Sequence, residues 1–452
     1  MKQPERTRQR RTLEAIFAAA VRAADPERAV RAQVVLKGGR LGIAGRTYDL
    51  TDLDRVVVAG AGKGAAPMAR ALEDILGPRL DSGLVVVPHG GGLNLETVRV
   101  MEAGHPVPDQ DGVRAAEALL DLLQSCTERD MVIFVLTGGA SALLTLPAPP
   151  LTLEDLRQAT RVLLGSGADI HRVNALRKHV SRLSGGHLAQ AAEPAAVEVL
   201  VISDVVGDSL ESIASGPLYP DPSTFAQCME VVKDFGLSGR LPKAVLDVLI
   251  KGAQGFAPET PKAGDPTFKR IHHTLAATNR MALEAAKTKA EELGYHAVIL
   301  DSAFTGEARE VATRFGALTT DILRQLKPTP APACVLTGGE TTVTLNGNGQ
   351  GGRCQEMALA AAKDLEDLHH AALLCAGTDG RDGPTDAAGA FVFGDTLARA
   401  RKAGMDAPRF LSRNDSYTFF KNINDLFITG PTRTNVMDLA ILLIDDEGLP
   451  DK

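Results

Sequence analysis

The 452-residue sequence contains no tryptophan, and aromatic residues make up only 4% of it. The chain therefore has few of the rings on which proteins that bind single-stranded nucleic acid stack the bases. Its formal net charge of −7 provides no overall attraction for a phosphate backbone either. We expect no nucleic-acid partner.

The chain also lacks clustered cysteines and long apolar runs. Its five cysteines show no Cys-x-x-Cys spacing, which is typical of reduced thiols and not of a zinc site or a disulfide framework. No run approaches the roughly 20 apolar residues of a membrane span. Glu14 and Arg22 interrupt the apolar stretch near the start, so we interpret that stretch as an amphipathic helix and not as a signal peptide. These features predict a cytoplasmic protein with no membrane partner.

Glycine is abundant, with 44 residues, and it recurs where apolar runs end. The run Val56–Val58 leads to Gly60 and Gly62, and good helix formers begin at residue 65. A glycine turn between a strand and a helix directs backbone N–H groups and the positive helix end at an anion. Lys63 adds a full positive charge in the same turn. The pattern indicates an anion site, and a solvated lysine on an ordinary turn is the alternative.

Two further apolar runs end in polar or glycine-rich residues. Residues 132–136 precede Gly138, Gly139 and Ser141, and residues 197–202 precede Asp204 and then Asp208. A carboxylate directly after a buried strand costs stability unless it has a partner or a function. We therefore interpret Asp204 as functional.

The second half of the chain repeats this pattern. Residues 333–336 lead to Gly338, Gly339 and Glu340, a glycine- and amide-rich loop ends in Arg353, and residues 373–376 lead to the loop containing Asp379. That loop also holds Asp382 and Asp386, for which helix capping is the expected role.

Alternating strands and helices predict an α/β fold of two domains with largely parallel sheets. We expect a Rossmann-like N-terminal domain at 1–255 and a smaller C-terminal domain at 267–452. The stretch Lys251–Pro266, which is rich in glycine, proline and alanine, is the expected linker. Ligands bind beyond the carboxyl ends of parallel strands, where these loops fall. A helix at Ile170–Gln190 carries four cations that we expect to form a solvated face: Arg172, Arg177, Lys178 and Arg182.

Several known chemistries fit the motifs poorly. The turn Gly60-Ala-Gly62-Lys-Gly-Ala65 matches the dinucleotide pattern G-x-G-x-x-A, but the next strand ends in Pro88-His89-Gly90 without a carboxylate for the ribose. The patterns of a serine-hydrolase elbow and of a P-loop are not met. The sequence combines cations, aspartates and glycine loops, and phosphoryl transfer needs groups of these three kinds.

Nine segments in order resemble the type II glycerate kinases, which carry a C-terminal MOFRL domain. The segments are Ala59-Gly-Ala-Gly-Lys-Gly-Ala65, Gly104-His-Pro-Val-Pro-Asp109, Thr137-Gly-Gly-Ala-Ser-Ala-Leu143, Arg177-Lys-His-Val-Ser181, Ser203-Asp-Val-Val-Gly-Asp208, Gly338-Gly-Glu-Thr-Thr342, Gly351-Gly-Arg-Cys-Gln-Glu356, Gly377-Thr-Asp-Gly-Arg-Asp-Gly-Pro-Thr-Asp386 and Gly430-Pro-Thr-Arg-Thr-Asn435. The resemblance implies ATP-dependent, Mg²⁺-assisted phosphorylation of D-glycerate at its 2-hydroxyl, giving 2-phosphoglycerate and ADP, in a cleft between the two domains. The alternative is an NAD(P)H-dependent hydroxypyruvate reductase, a label that proteins of this group have also received.

The resemblance also implies residue roles. Lys63 and Arg353 would hold the moving phosphoryl group and the glycerate carboxylate. Asp204, with Asp208 as the alternate, would activate the 2-hydroxyl or bind Mg²⁺, and Asp379 would be a second metal ligand. The nucleotide or substrate loops would contain Gly60, Gly62, Gly138, Gly139, Ser141, Gly338, Gly339 and Glu340.

This sequence departs from the family at three positions. The family usually shows Asn where Cys354 stands, Gly where Arg433 stands and Asn where Met437 stands. The departures concern contacts of the C-terminal loops. The residues leave open both the position of phosphorylation and the choice between a monomer and a homodimer.

Overall fold

The computed structural model describes residues 3–325 and 328–446. Its contacts divide the chain into two compact units. The N-terminal unit is Pro26–Ala276, and the C-terminal unit combines Met1–Asp25 with Ala277–Lys452. Residues 447–452, which end the expected second domain, lie outside the described residues.

The helices are α1 Gln3–Ala23, α2 Pro26–Gln33, α3 Ala65–Leu76, α4 Gln110–Gln124, α5 Ala140–Leu143, α6 Leu153–Leu164, α7 Ile170–His179, α8 His187–Ala192, α9 Phe225–Asp234, α10 Lys243–Ala253, α11 Asn279–Glu292, α12 Ala308–Gln325, α13 Arg353–Ala361, α14 Thr396–Lys402, α15 Ala407–Ser412 and α16 Ser416–Asn422. Short 3-10 turns lie at Gly77–Arg79, Val206–Asp208, Ile213–Ser215 and Pro266–Arg270.

The strands are β1 Val34–Lys37, β2 Arg40–Ile43, β3 Arg46–Asp49, β4 Arg55–Ala61, β5 Ser82–Pro88, β6 Val98–Ala103, β7 Asp130–Leu136, β8 Ala196–Ile202, β9 Ile271–Ala277, β10 His296–Phe304, β11 Ala333–Gly339, β12 Ala371–Gly377, β13 Gly389–Phe393, β14 Leu426–Phe427 and β15 Asp438–Ile444. β1, β2 and β3 form a small antiparallel sheet.

The main sheet of the N-terminal unit has the order β6-β5-β4-β7-β8-β9. The pairings of β4 with β5 and β7, of β5 with β6 and of β7 with β8 are all parallel. Every residue of β7 is buried, as expected for a strand covered by helices on both faces. The chain order reverses between β4 and β7, so the loops that follow these two strands lie at the switch point where such sheets bind ligands. The predicted α/β class is confirmed.

The sheet of the C-terminal unit has the order β10-β11-β15-β12-β13-β14. Only the β10–β11 pairing is parallel, and the other four are antiparallel. β11 and β12 still run in the same direction, with α13 between them in the chain, but the last described strand, β15, inserts between them in the opposite direction. The expectation of a parallel sheet holds for the N-terminal unit, whereas this sheet is mixed.

The division between the units differs from the expected limits of 1–255 and 267–452. The opening helix α1 packs on β15 and α11 of the C-terminal unit, with the Phe17 ring 5.1 Å from that of Phe427 and an Arg10–Asp425 ion pair. At the other end, β9 lies beside β8 in the N-terminal sheet. The expected linker at 251–266 therefore leads back into the N-terminal sheet and does not connect the two units.

Two details bear on the site. The expected helix at 170–190 is divided into α7 and α8, because Gly185 and Gly186 adopt φ of 62° and 90° between them. Within the described residues, no helix is both long enough and apolar enough to cross a bilayer.

Candidate active site

The turn after β4 is held against the turn after β7. The Lys63 amide donates to the Gly138 carbonyl over 2.9 Å, and the Gly64 amide donates to Thr137 Oγ1 over 2.9 Å. Gly60 and Gly62 are required here, because a Cβ at either position would overlap Val135 or Thr137 on the neighbouring strand. The two glycine turns therefore form one continuous surface at the edge of the sheet.

Asp204 joins this surface from the end of β8. A Cβ on Gly138 would lie 2.8 Å from Cγ of Asp204, so the glycine brings its backbone directly against the carboxyl group. Burial raises the pKa of Asp204, and the positive charge of Lys63 partly offsets this effect. The structure thus brings together two of the predicted residues, Lys63 and Asp204.

His105 is a third ionisable group at this place. A Cβ on Gly139 would lie 3.0 Å from the His105 ring and 3.6 Å from Cγ of Lys63. Burial lowers the pKa of His105, and the charge of Lys63 lowers it further. Its imidazole is therefore held neutral, as a hydrogen-bonding group and not as an additional cation.

Ser141 and Asp208 lie further along the same loops. Ser141 is on α5, and its Oγ is 3.1 Å from Oγ of Ser215. Asp208 closes the 3-10 turn after β8, and its Oδ1 is buried without a hydrogen-bond partner among the described residues. An oxygen of this kind suits a hard divalent cation, since Mg²⁺ prefers carboxylate oxygens. Asp208 therefore offers an oxygen that fits the implied metal.

The expectation of a solvated face on α7 is wrong for two of its cations. The Lys178 side chain is 6% exposed, and its Nζ lies 3.1 Å from Oδ1 of the buried Asp221. Arg177 is half-buried, and burial lowers its pKa. Arg172 is exposed as expected.

In the C-terminal unit, Arg353 is the first residue of α13 and pairs with two carboxylates. Its Nε and Nη2 lie 2.6 and 3.0 Å from the two oxygens of Asp438, and its Nη1 lies 2.5 Å from Oε1 of Glu340. The side chain of Asp438 is 1% exposed, against 35% for Arg353. Burial raises the pKa of Asp438 and Arg353 lowers it. Burial lowers the pKa of Arg353, but the carboxylates of Asp438 and Glu340 help to raise it above its ordinary value. Arg353 is therefore a fixed, partly neutralised cation.

Gly338 and Gly339 end β11 beside this pair. A Cβ on Gly338 would overlap the Asn279 side chain, and one on Gly339 would overlap the Phe304 backbone. Asn279 in turn donates to the carbonyl oxygens of Val436 and Asp438 at 2.7 and 3.1 Å. These contacts place Gly338, Gly339, Glu340 and Arg353 at one edge of the C-terminal sheet.

The aspartates after β12 have separate roles. Asp379 accepts from the Arg381 amide at 3.0 Å, and a Cβ on Gly377 would lie 3.4 Å from oxygens of both Asp379 and Asp438. Asp382 accepts from the first amides of α13, those of Cys354 and Gln355.

The expected capping role is therefore confirmed for Asp382, and burial raises its pKa to about 7. Asp386 instead accepts a hydrogen bond of 2.8 Å from the Tyr417 hydroxyl.

The three family departures have clear local environments. Cys354 is buried, and its thiol is one of the groups that lower the pKa of Asp438, at a position where the family usually has an amide. Arg433 and Met437 adopt φ of 65° and 67°. Glycine and asparagine tolerate this left-handed region best, so both departures place strained residues in the loop before β15.

Asp438 is not among the residues that the sequence patterns indicate, and His105 lies in one of the nine family segments without an assigned role. Asp438 precedes its apolar run instead of following it, and it reaches the site only because β15 runs opposite to β11 and β12. His105 belongs to a Pro-rich loop whose position beside Gly139 depends on packing between loops.

Comparison with known proteins shows which family the chain belongs to. Residues 12–250 match a family described as a domain of unknown function (DUF4147), and residues 333–438 match the MOFRL family. A glycerate 2-kinase of Pyrococcus horikoshii is 39% identical over 426 residues, which cover 94% of this chain and 95% of that protein. A putative hydroxypyruvate reductase of Agrobacterium vitis is 40% identical over 438 residues, covering 96% and 94%.

A crystal structure of glycerate kinase from Thermotoga maritima has a TM-score of 0.85 to this chain at 36% identity, covering 97% of this chain and all of that one. The fold and the polar loops define an α/β enzyme. The chain belongs to the glycerate kinase family, in which a DUF4147 domain precedes a MOFRL domain.

Proposed function

We propose that the protein is a D-glycerate 2-kinase, which transfers the γ-phosphoryl group of ATP to the 2-hydroxyl of D-glycerate and releases 2-phosphoglycerate and ADP. The observation that carries this proposal is the juxtaposition of Lys63, Asp204 and the Gly138–Gly139 turn at the switch point of the N-terminal sheet. Phosphoryl transfer depends on positioning and on charge stabilisation, and these groups supply a cation, backbone donors and a carboxylate.

Asp204 is the group that accepts the proton of the 2-hydroxyl in this proposal. Burial raises its pKa, which brings a carboxylate closer to the range in which it acts as a base near neutral pH. Asp208 is the alternate for this role.

Whichever of Asp204 and Asp208 does not act as the base would hold Mg²⁺ through a carboxylate oxygen. When bound, such an ion neutralises charge on the phosphoryl oxygens.

Lys63 and Arg353 bind the transferring phosphoryl group and the glycerate carboxylate. Lys63 is a compact charge in a turn, suited to an anion whose charge is redistributed during transfer. Arg353 uses three of its five N–H groups on Asp438 and Glu340, so two donors remain for substrate.

Initial rates measured with two detection systems test this function. ADP should form only when ATP, D-glycerate and Mg²⁺ are all present, and chelation of the metal should stop the reaction until Mg²⁺ is restored. In the parallel reaction, hydroxypyruvate should cause no oxidation of NADH or NADPH. ADP formation that is independent of glycerate, or hydroxypyruvate-dependent loss of NADH absorbance, would reject the proposal in favour of a nucleotide hydrolase or a reductase.

A further inference from the structure

A recess in the N-terminal unit contains one ionised side chain, that of Arg177. Among the lining residues, leucine and valine side chains predominate, as at Leu156, Leu163 and Val245, and there is no carboxylate. The recess is partly open to solvent. A mainly apolar lining with a few polar groups is typical of a small-molecule site.

The guanidinium of Arg177 forms no hydrogen bond or ion pair with the described part of the chain, and burial is the only influence that shifts its pKa. A buried charge without a partner is costly, because the desolvation of the ion is not offset. Such a cation is stabilised by an anion that brings oxygen acceptors, and guanidinium groups bind phosphate through two parallel hydrogen bonds.

The backbone that carries Arg177 is firmly held. The next two residues are buried, with Lys178 paired to Asp221 and with His179 Nε2 3.0 Å from an oxygen of Glu259. Thr260 also donates to Asp221 over 2.9 Å. These bonds fix the end of α7, so Arg177 is presented to the recess from a rigid support.

The recess adjoins the glycine turns of the candidate active site through Ser141. This residue lines the recess, lies two positions after Gly139, and approaches Ser215 with its hydroxyl. Further hydroxyl groups in the lining come from Thr160 and Ser181. The lining of the recess therefore combines apolar side chains with hydroxyl groups and the cation of Arg177.

We propose that this recess binds the adenosine moiety of the nucleotide and that Arg177 pairs with its phosphate chain. The proposal rests on the proposed kinase function, since it identifies where that enzyme holds its phosphoryl donor. The apolar lining covers the base, the hydroxyl groups meet the ribose or the ring nitrogens, and the phosphates extend from Arg177 towards the turn that contains Lys63.

Equilibrium binding of adenosine, AMP and ADP to the full chain, by calorimetry, tests the proposal without turnover. Arg177→Met should weaken ADP binding by about 10- to 100-fold, the loss expected for a charged, bidentate contact, and should leave adenosine binding unchanged. Arg172→Met is the matched control, because it removes an exposed arginine from the same helix, and its ADP affinity should equal that of the wild type. Arg177→Lys keeps the charge and should give an intermediate loss.

Two further readouts separate this role from a structural one. Arg177→Met should resist urea at least as well as the wild type, because it removes a half-buried charge that has no partner among the described residues. In steady-state assays it should raise KM for ATP and leave KM for D-glycerate unchanged. An unchanged ADP affinity, or a rise confined to KM for D-glycerate, would overturn the assignment. If the wild type binds ADP through Arg177 but forms no phosphoglycerate, the nucleotide site stands and the kinase proposal fails.

Discussion

The substitution Gly138→Ala tests the position of Asp204 in the proposed site. Gly138 leaves no room for a side chain beside Asp204, because an added Cβ would overlap Oδ2 of that residue and lie 2.8 Å from its Cγ. Ordinary contact begins at 3.4 Å, so Oδ2 must move by about 1 Å or the carboxyl group must rotate away. Gly138 does not have a positive φ, so the substitution adds no backbone strain of its own.

A shift of this size should affect catalysis far more than folding. Displacement of a reacting group by about 1 Å costs roughly 100-fold in rate, so we expect kcat of Gly138→Ala to fall by about 10- to 100-fold. Asp204 lies half-buried at the edge of the sheet, where it can turn towards solvent. The free energy of unfolding should therefore change by less than about 1 kcal/mol.

The assay is the glycerate-dependent release of ADP, with urea unfolding of the same preparations. Gly239→Ala is the matched control, since Gly239 also lacks a positive φ and an added Cβ there meets no atom within 4 Å. The control should keep the wild-type rate. A wild-type rate for Gly138→Ala would show that the position of Asp204 does not matter for turnover, and the assigned role would be wrong.

Three further predictions concern the C-terminal unit. Arg353→Met should lower the free energy of unfolding by about 3 kcal/mol, since it leaves Asp438 buried without its cation; wild-type resistance to urea would contradict this. The pKa of Asp382 is raised to about 7 in the folded state from an ordinary value of 3.8, so its stabilising contribution is complete below 3.8 and is lost as the pH rises through about 7. Urea unfolding from about pH 5 to about pH 8 should therefore show a smaller decline in stability for Asp382→Asn than for the wild type, and parallel declines would argue against the raised pKa. Arg433→Gly should raise the thermal midpoint, with a gain of about 0.5–1 kcal/mol, because it relieves the positive φ of 65°; calorimetry that shows a lower midpoint would refute this.

The parts of the site that follow directly from strand ends are predictable from the sequence. Gly62 and Asp204 each come after a buried parallel strand, and the carboxyl ends of such strands meet at one edge of the sheet. Their proximity therefore depends only on the order of the strands. Gly338 and Glu340 lie at the end of a single strand, β11, so their proximity follows from the sequence itself.

Other features depend on packing that no local pattern specifies. Asp438 joins Arg353 because the last described strand inserts between β11 and β12, which the order of elements along the chain does not reveal. Helix α1 covers the C-terminal sheet although it opens the chain. Arg172 and Arg177 lie on the same short helix, and only the packing around α7 makes the first exposed and the second half-buried.

Phosphorus NMR spectroscopy of the reaction products tests the central claim most directly. With ATP, D-glycerate and Mg²⁺, the wild type should give ADP and one phosphate monoester signal split by a single proton, as for a phosphate on carbon 2. Lys63→Ala should give neither signal. A monoester signal split by two protons, inorganic phosphate alone, or product formation by Lys63→Ala at the wild-type rate would contradict the proposed reaction or the role of its central cation.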